Sequence, residues 1–167
     1  MKNIIIREIK PDEKGKLEEM LYEAIYQPDE KNLIPKEVIY EPEVNVYIKD
    51  FGEKKDDYCL VADHHGIIVG AVWVRILSEK IKGFGNIDDK TPEFAISLCK
   101  EYRSQGIGTR LMAEMIQYLQ QKGYEQASLN VKKENYAVKL YQNHGFEIID
   151  EDGEDYLMLL KFPDNFV

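Results

Sequence analysis

The tract Arg103-Ser104-Gln105-Gly106-Ile107-Gly108-Thr109 lies between a strand pattern and an amphipathic helical pattern, a placement suited to holding an anion. Its glycines permit close backbone approach, and the first amides of the following helix have no partner within the helix and point together. Such a cluster is the local positive feature that a pyrophosphate needs. Neither common nucleotide loop fits. Gly106-x-Gly108 lacks the third glycine of the dinucleotide fingerprint, and no Gly-Lys-Ser/Thr ending makes a P-loop. An ordinary helix start with flexible glycines has the same look, so the tract alone leaves both readings open.

Other reactive side chains carry weaker signals. Cys99 has no His near it in sequence and reads as a packed strand thiol rather than a nucleophile. His64 and His65 fall in an expected hairpin turn and His144 at a helix end; on a strand the adjacent pair would point to opposite sides, so no metal site is expected. Trp73 and Phe94 are candidates for lining a cleft, although strand aromatics are more often core.

The elements that must position these residues follow from periodicity. A first strand over 4–9 leads through Pro11-Asp12 into a helix carrying Leu17, Met20, Leu21, Ala24 and Ile25. Pro28, Pro35 and Pro42 break the next stretch, in which a short helix is expected somewhere in 35–50. Strands over 58–62 and 67–77 flank the turn Asp63-His64-His65-Gly66 and should pair antiparallel. A loop over 78–91 precedes a strand at 93–99, a helix at 106–121 stopped by Gly123, a strand at 127–131 and a helix at 135–144. Strands at 146–149 and 156–162 close the chain. The reading is an α/β fold, a mixed sheet flanked by helices, in a single domain over 1–167.

The charge narrows the partners. With 31 acidic against 22 basic residues the chain carries a formal charge of -9, which repels nucleic acid and anionic membranes and suits a cationic or neutral substrate. A polyphosphate would have to be held locally, by amides and a few basic side chains. Only Cys59 and Cys99 are present, which gives no disulfide framework and suggests a reducing compartment. No signal peptide or membrane span is read, and a cytoplasmic location is expected.

Arg103, Gly106 and Gly108 fit the pattern Arg/Gln-x-x-Gly-x-Gly/Ala at a strand-to-helix junction, and Leu129-Asn130-Val131, Asn135, Ala137, Leu140-Tyr141 and Gly145-Phe146 follow in order. Over about 93–146 the chain thereby resembles the GNAT superfamily of N-acetyltransferases. That resemblance implies a mostly antiparallel central sheet flanked by helices, and acetyl-CoA as acyl donor with coenzyme A as product. Amides from Gln105, Gly106, Ile107, Gly108 and Thr109 would bind the pyrophosphate beside Arg103. Pantetheine would run along Ile96 to Leu98, with the thioester carbonyl at the Leu98 N–H. Asn135 would contact the coenzyme, cap its helix, or both. Arg110 and Lys139 are candidates for the ribose phosphate, with a solvated-surface role equally open.

The resemblance also implies direct attack of a primary amine on the thioester, with Tyr141 protonating the departing thiolate. Glu93 is the first candidate for general base, acting directly or through water, against the alternative of a solvent-facing strand end. Ser97 and Tyr102 are weaker candidates on the substrate side. The acceptor is a small-molecule or peptide amine, and a homodimer is compatible with the family. Two other functions fit the same residues: a non-catalytic acyl-CoA-binding sensor or interaction module, and a protein binding another nucleotide through Gly106-x-Gly108.

Overall fold

A computed structural model describes residues 3–163. Met1 and Lys2, which entered the reading of the N-terminus, lie outside the described residues. The chain order is β1 (Ile4–Glu8), α1 (Lys16–Ala24), α2 (Pro42–Asn45), β2 (Tyr58–His64), β3 (Ile67–Arg75), β4 (Glu93–Leu98), α3 (Ile107–Gln121), β5 (Gln126–Lys132), α4 (Ala137–Asn143), β6 (Glu147–Asp152) and β7 (Asp155–Lys161). The seven strands form one sheet in the order β1-β2-β3-β4-β5-β7-β6, antiparallel throughout except for β4 beside β5. This is the mixed, mostly antiparallel, helix-flanked sheet expected from the sequence.

Strand alternation divides the core into two layers. Phe94, Leu129 and Val131 point to the side covered by α3, where Leu111, Met112, Met115 and Leu119 are completely buried. Each such side chain stabilises the fold by roughly 1.5–3 kcal/mol. The opposite face packs Trp73, Ala71 and Val61 against Leu17, Met20 and Leu21 of α1 and Phe51. Trp73 and Phe94 are therefore core residues.

The parallel junction is short. Glu93 opposite Ser128 is the single register pair of β4 and β5 among the described residues, supported by a Ser128 N–H bond to the Pro92 carbonyl at 3.0 Å. Beyond it the two strands separate toward their C-terminal ends. Parallel pairing holds them at one end only, so the gap exposes main-chain groups of β4.

Several local expectations shift. The short helix expected in 35–50 is a 3₁₀ turn at Lys36–Tyr40 followed by α2, because Pro42 occupies a first-turn position where its missing N–H does no harm. Strand β3 ends at Arg75, since the Leu77 carbonyl is turned to accept the Gly83 N–H at 3.0 Å and so begins the loop. The hairpin turn is tighter than read. Strand β2 runs through His64, and His65 and Gly66 both take positive φ, 53° and 88°. His65 is thus a turn residue, and its ring lies 4.7 Å from that of His64 instead of pointing away. His64 Nδ1 is engaged at 2.8 Å by the Tyr102 hydroxyl.

Candidate active site

The amides at the start of α3 are set by two left-handed residues. Ser104 has φ 61° and Gly106 φ 84°, and this alternation turns successive N–H groups to one side. Gly106 carries the conformation that L side chains resist. Among the described residues no group accepts a hydrogen bond from the amides of Ser104, Gln105, Gly106, Ile107, Gly108 or Thr109, while Arg110 N–H already bonds the Gly106 carbonyl at 3.2 Å. Six consecutive donors are left at the positive end of a 15-residue helix.

Ser104, Gly106, Gly108 and Thr109 of this run line a cleft of about 460 Å³ together with Ile96, Ser97, Leu98, Arg103, Asn135, Leu140 and Tyr141, and residues 23–28, at the end of α1 and just beyond it, also line it. Gly108 shows what the cleft is shaped for. A methyl group added there would meet only Leu98 and Leu140, both at 3.6 Å, an ordinary contact. The protein itself has room for a side chain at 108, and the glycine leaves that space open to the cleft.

The ladder fixes the main chain of β4. Cys99 N–H bonds the Val69 carbonyl at 2.8 Å, so by antiparallel alternation the N–H and C=O of Leu98 and Ile96 point away from β3, into the gap beside β5. The Leu98 carbonyl is capped by Arg103 Nε at 3.1 Å, and Arg103 Nη2 reaches Glu23 Oε2 at 3.2 Å. The Arg103 side chain therefore ties α1 and the end of β4 to the amide cradle. Its own N–H is taken by the Lys100 carbonyl at 3.3 Å.

The other sequence candidates distribute unevenly. Tyr141 is buried beside Phe146, its hydroxyl has no hydrogen-bond partner among the described residues, and burial pushes its phenol well above the ordinary value. Asn135 lines the cleft and its Oδ1 accepts the Ala137 N–H at 2.9 Å, holding the start of α4. Gln105 turns its amide to the Glu101 carbonyl at 2.9 Å and the Ile107 side chain is in the core, and neither residue is part of the cleft lining. Arg110 Nη2 is bonded to the Ile4 carbonyl at 3.1 Å; Lys139 is exposed. Ser97 lines the cleft with its hydroxyl against the Met20 sulfur.

Glu93 sits apart from the cleft. It is 3% exposed rather than solvent-facing, five residues down β4 from Leu98, beneath the loop that follows β3. Its Oε2 accepts the Gly85 N–H at 3.0 Å and hydrogen-bonds the Tyr47 hydroxyl, which donates to it, while Oε1 is buried with no partner among the described residues. Burial raises its carboxyl from 4.5 to about 7, against the opposing effect of those two donors. Tyr47, Gly85 and Ser128, whose hydroxyl bonds the Gly85 carbonyl at 2.6 Å, complete this chamber. None of the three is marked by a local sequence pattern.

A family model described as the acetyltransferase (GNAT) family matches residues 19–146. A mycothiol acetyltransferase of Corynebacterium aurimucosum is 28% identical over 102 residues, covering 57% of this chain and 32% of that protein's length. Among solved structures, the PaiA N-acetyltransferase of Thermoplasma acidophilum in complex with coenzyme A superposes with a TM-score of 0.67 at 22% identity, over 96% of this chain and 99% of that one. A GNAT-family acetyltransferase from Streptococcus pneumoniae superposes with a TM-score of 0.67 at 24% identity, over 96% and 100% of the two chains.

Proposed function

Because the chain belongs to the acetyltransferase (GNAT) family, we propose that it transfers an acetyl group from acetyl-CoA to a primary amine by direct attack. The observation that carries this reading is the run of six amides from Ser104 to Thr109, unpartnered among the described residues, beside a cleft that Ile96, Ser97 and Leu98 of β4 also line. A diphosphate satisfies such donors without any net positive charge on the protein. Gly108 leaves room for it, and the Ile96 and Leu98 N–H groups offer an edge to an extended amide-bearing arm.

When bound, acetyl-CoA supplies the activated acyl carbon. The protein's part is positioning and charge stabilisation. The Leu98 N–H is available to an oxygen that gains negative charge, since Arg103 holds the strand end through the Leu98 carbonyl. The unpartnered Tyr141 hydroxyl donates toward the departing sulfur. Its raised pKa keeps it protonated, so it acts first as a hydrogen-bond donor to the thiolate. Glu93 takes the proton released from the amine. Its distance along β4 from the cleft lining calls for relay through water or for movement of the loop above it.

An acetyl-CoA-dependent screen for free-thiol release over chemically diverse amines tests donor use and acceptor class together. Wild-type protein should release thiol with at least one amine, and Tyr141→Phe should lower turnover about tenfold with the KM for acetyl-CoA unchanged. Tight acetyl-CoA binding with no transfer to any amine would establish the sensor alternative. Equal turnover in the two proteins would remove Tyr141 from the chemistry.

A further inference from the structure

The Glu93 carboxylate is enclosed by a segment that only glycine allows to lie there. A methyl group added at Gly83 would fall 2.1 Å from Glu93 Oε1, and one at Gly85 would fall 2.9 Å from Oε2 and 2.8 Å from the Leu129 carbonyl carbon. Between them Phe84 is 59% exposed, so the segment 83–85 presses its backbone on the carboxylate and turns its one large side chain outward.

The Tyr47 hydroxyl joins this segment to Glu93. It accepts the Phe84 N–H at 2.8 Å and donates to Glu93 Oε2, and the Tyr47 ring stacks on Phe84 with centroids 6.4 Å apart. Tyr47 is itself anchored. Its carbonyl takes the Trp73 indole N–H at 3.0 Å, and the neighbouring carbonyls of Val46 and Lys49 take the buried Arg75 guanidinium at 3.0 and 2.7 Å.

We propose that Tyr47 is a positioning residue for Glu93, which aims the carboxylate and makes its ionisation depend on whether the segment 83–85 is seated. This rests on the reading of Glu93 as the group that takes the amine proton. The phenol is the donor in the pair, because burial and the adjacent carboxylate hold it protonated far above its ordinary range. Its hydrogen bond favours the charged carboxylate against the desolvation that disfavours it. The surrounding charges are committed elsewhere. Arg75, opposite Glu93 on β3, is paired with Asp57 at 3.0 Å; Glu23 of α1 is paired with Arg103; the β5 neighbour Ser128 is neutral. Lys82, beside the segment in sequence, is exposed.

The test is a ¹³C NMR titration of protein labelled at the glutamate carboxyl carbons, with the Glu93 resonance assigned by its loss in Glu93→Gln. Tyr47→Phe keeps the ring and the bond from the Trp73 indole to the Tyr47 carbonyl, and removes the hydroxyl with its bonds to Glu93 and to the Phe84 N–H. Its Glu93 midpoint should rise by about one pH unit, and the acidic limb of kcat/KM for the amine should rise with it. Ser128→Ala frees the Gly85 carbonyl and should move the midpoint the same way by less, which gives a second reading if Tyr47→Phe folds poorly. An unchanged midpoint in Tyr47→Phe overturns the role of Tyr47, and an unchanged midpoint in Ser128→Ala overturns its dependence on the segment. A midpoint that moves while the acidic limb stays supports the Tyr47–Glu93 coupling, and the failure then falls on Glu93 as proton acceptor.

Discussion

The amide cradle and the Glu93 chamber lie at opposite ends of β4 and are built on different physical plans. The cradle is main chain: six N–H groups fixed by the φ values of Ser104 and Gly106 and by the start of α3, with side chains held back from it. The chamber is side chain: a carboxylate, a phenol and a hydroxyl brought from residues 93, 47 and 128, closed by the backbone of 83–85. A main-chain site needs small residues and one local turn, and it tolerates an acidic protein because its partial charges come from peptide dipoles. A side-chain chamber carries its own ionisable group, so its state depends on everything packed around it.

If the cradle is a main-chain site with open space at 108, filling that space should abolish binding and leave the fold intact. Gly108→Leu places a branched side chain beyond the 3.6 Å contacts with Leu98 and Leu140 and into the cleft. Titration calorimetry should show coenzyme A affinity reduced at least about a hundredfold, or roughly 2.7 kcal/mol. Thermal stability should hold or rise, since leucine is the better helix former. Unchanged affinity would mean that the diphosphate does not lie over Gly108, and the contrast between the two regions would lose its first term.

The two plans also explain what was legible in the sequence. Arg103, Gly106, Gly108, Asn135 and Tyr141 sit in two contiguous stretches at strand-helix junctions, so the local structure was legible, whereas the Gly106-x-Gly108 tract alone left an ordinary helix start equally open and only the two stretches together pointed to an anion site. The sheet was legible through the compact runs rich in strand-forming residues at 58–62, 67–77 and 93–99. Tyr47 could not be found this way. It lies in an irregular turn after α2, and nothing near it in sequence signals a partner 46 residues away. The burial of Glu93 was equally hidden, because the loop that covers it follows no period. His65 lies in the turn as expected, while His64 ends β2 because the turn takes two residues where four were read.

Glu93→Gln separates the chamber from the cradle by its pH signature. The folded-state pKa of Glu93 is raised from 4.5 to about 7, so the folded protein holds a proton that the unfolded chain releases in that interval. Wild-type stability attributable to this group is therefore full below about 4.5 and is lost as pH rises through about 7. Between pH 5 and pH 8 the loss is roughly 2.5 kcal/mol, and Glu93→Gln should not suffer it. In thermal melts the variant should gain on wild type by about 5–10 °C over that range. Acetyl-CoA affinity should stay the same, because the cradle contains no titrating group. A stability difference independent of pH would show that the chamber is solvated in solution.

Gly70→Ala, the smallest effect, tests whether the cradle is as self-contained as its sequence suggests. Gly70 lies on β3, opposite Leu98 in the register, and a methyl group there would fall 2.4 Å from Leu98 Cδ2 and 3.1 Å from the Ser97 carbonyl oxygen. Backbone at Ser97 gives little, so the Leu98 side chain must yield. On its other side stand Gly108 and Leu140, which leaves the cleft as the open direction. Leucine swung into the cleft would crowd the arm that runs along β4, so the KM for acetyl-CoA should rise about threefold to fivefold, under about 1 kcal/mol, with Tyr141 chemistry and the pH limb unaffected. An unchanged KM would mean that Leu98 finds room within the core, and the cradle would then owe nothing to residues outside its own two segments. A rise would show that even a main-chain site depends on one distant position, a glycine on the neighbouring strand whose requirement no pattern in β3 reveals.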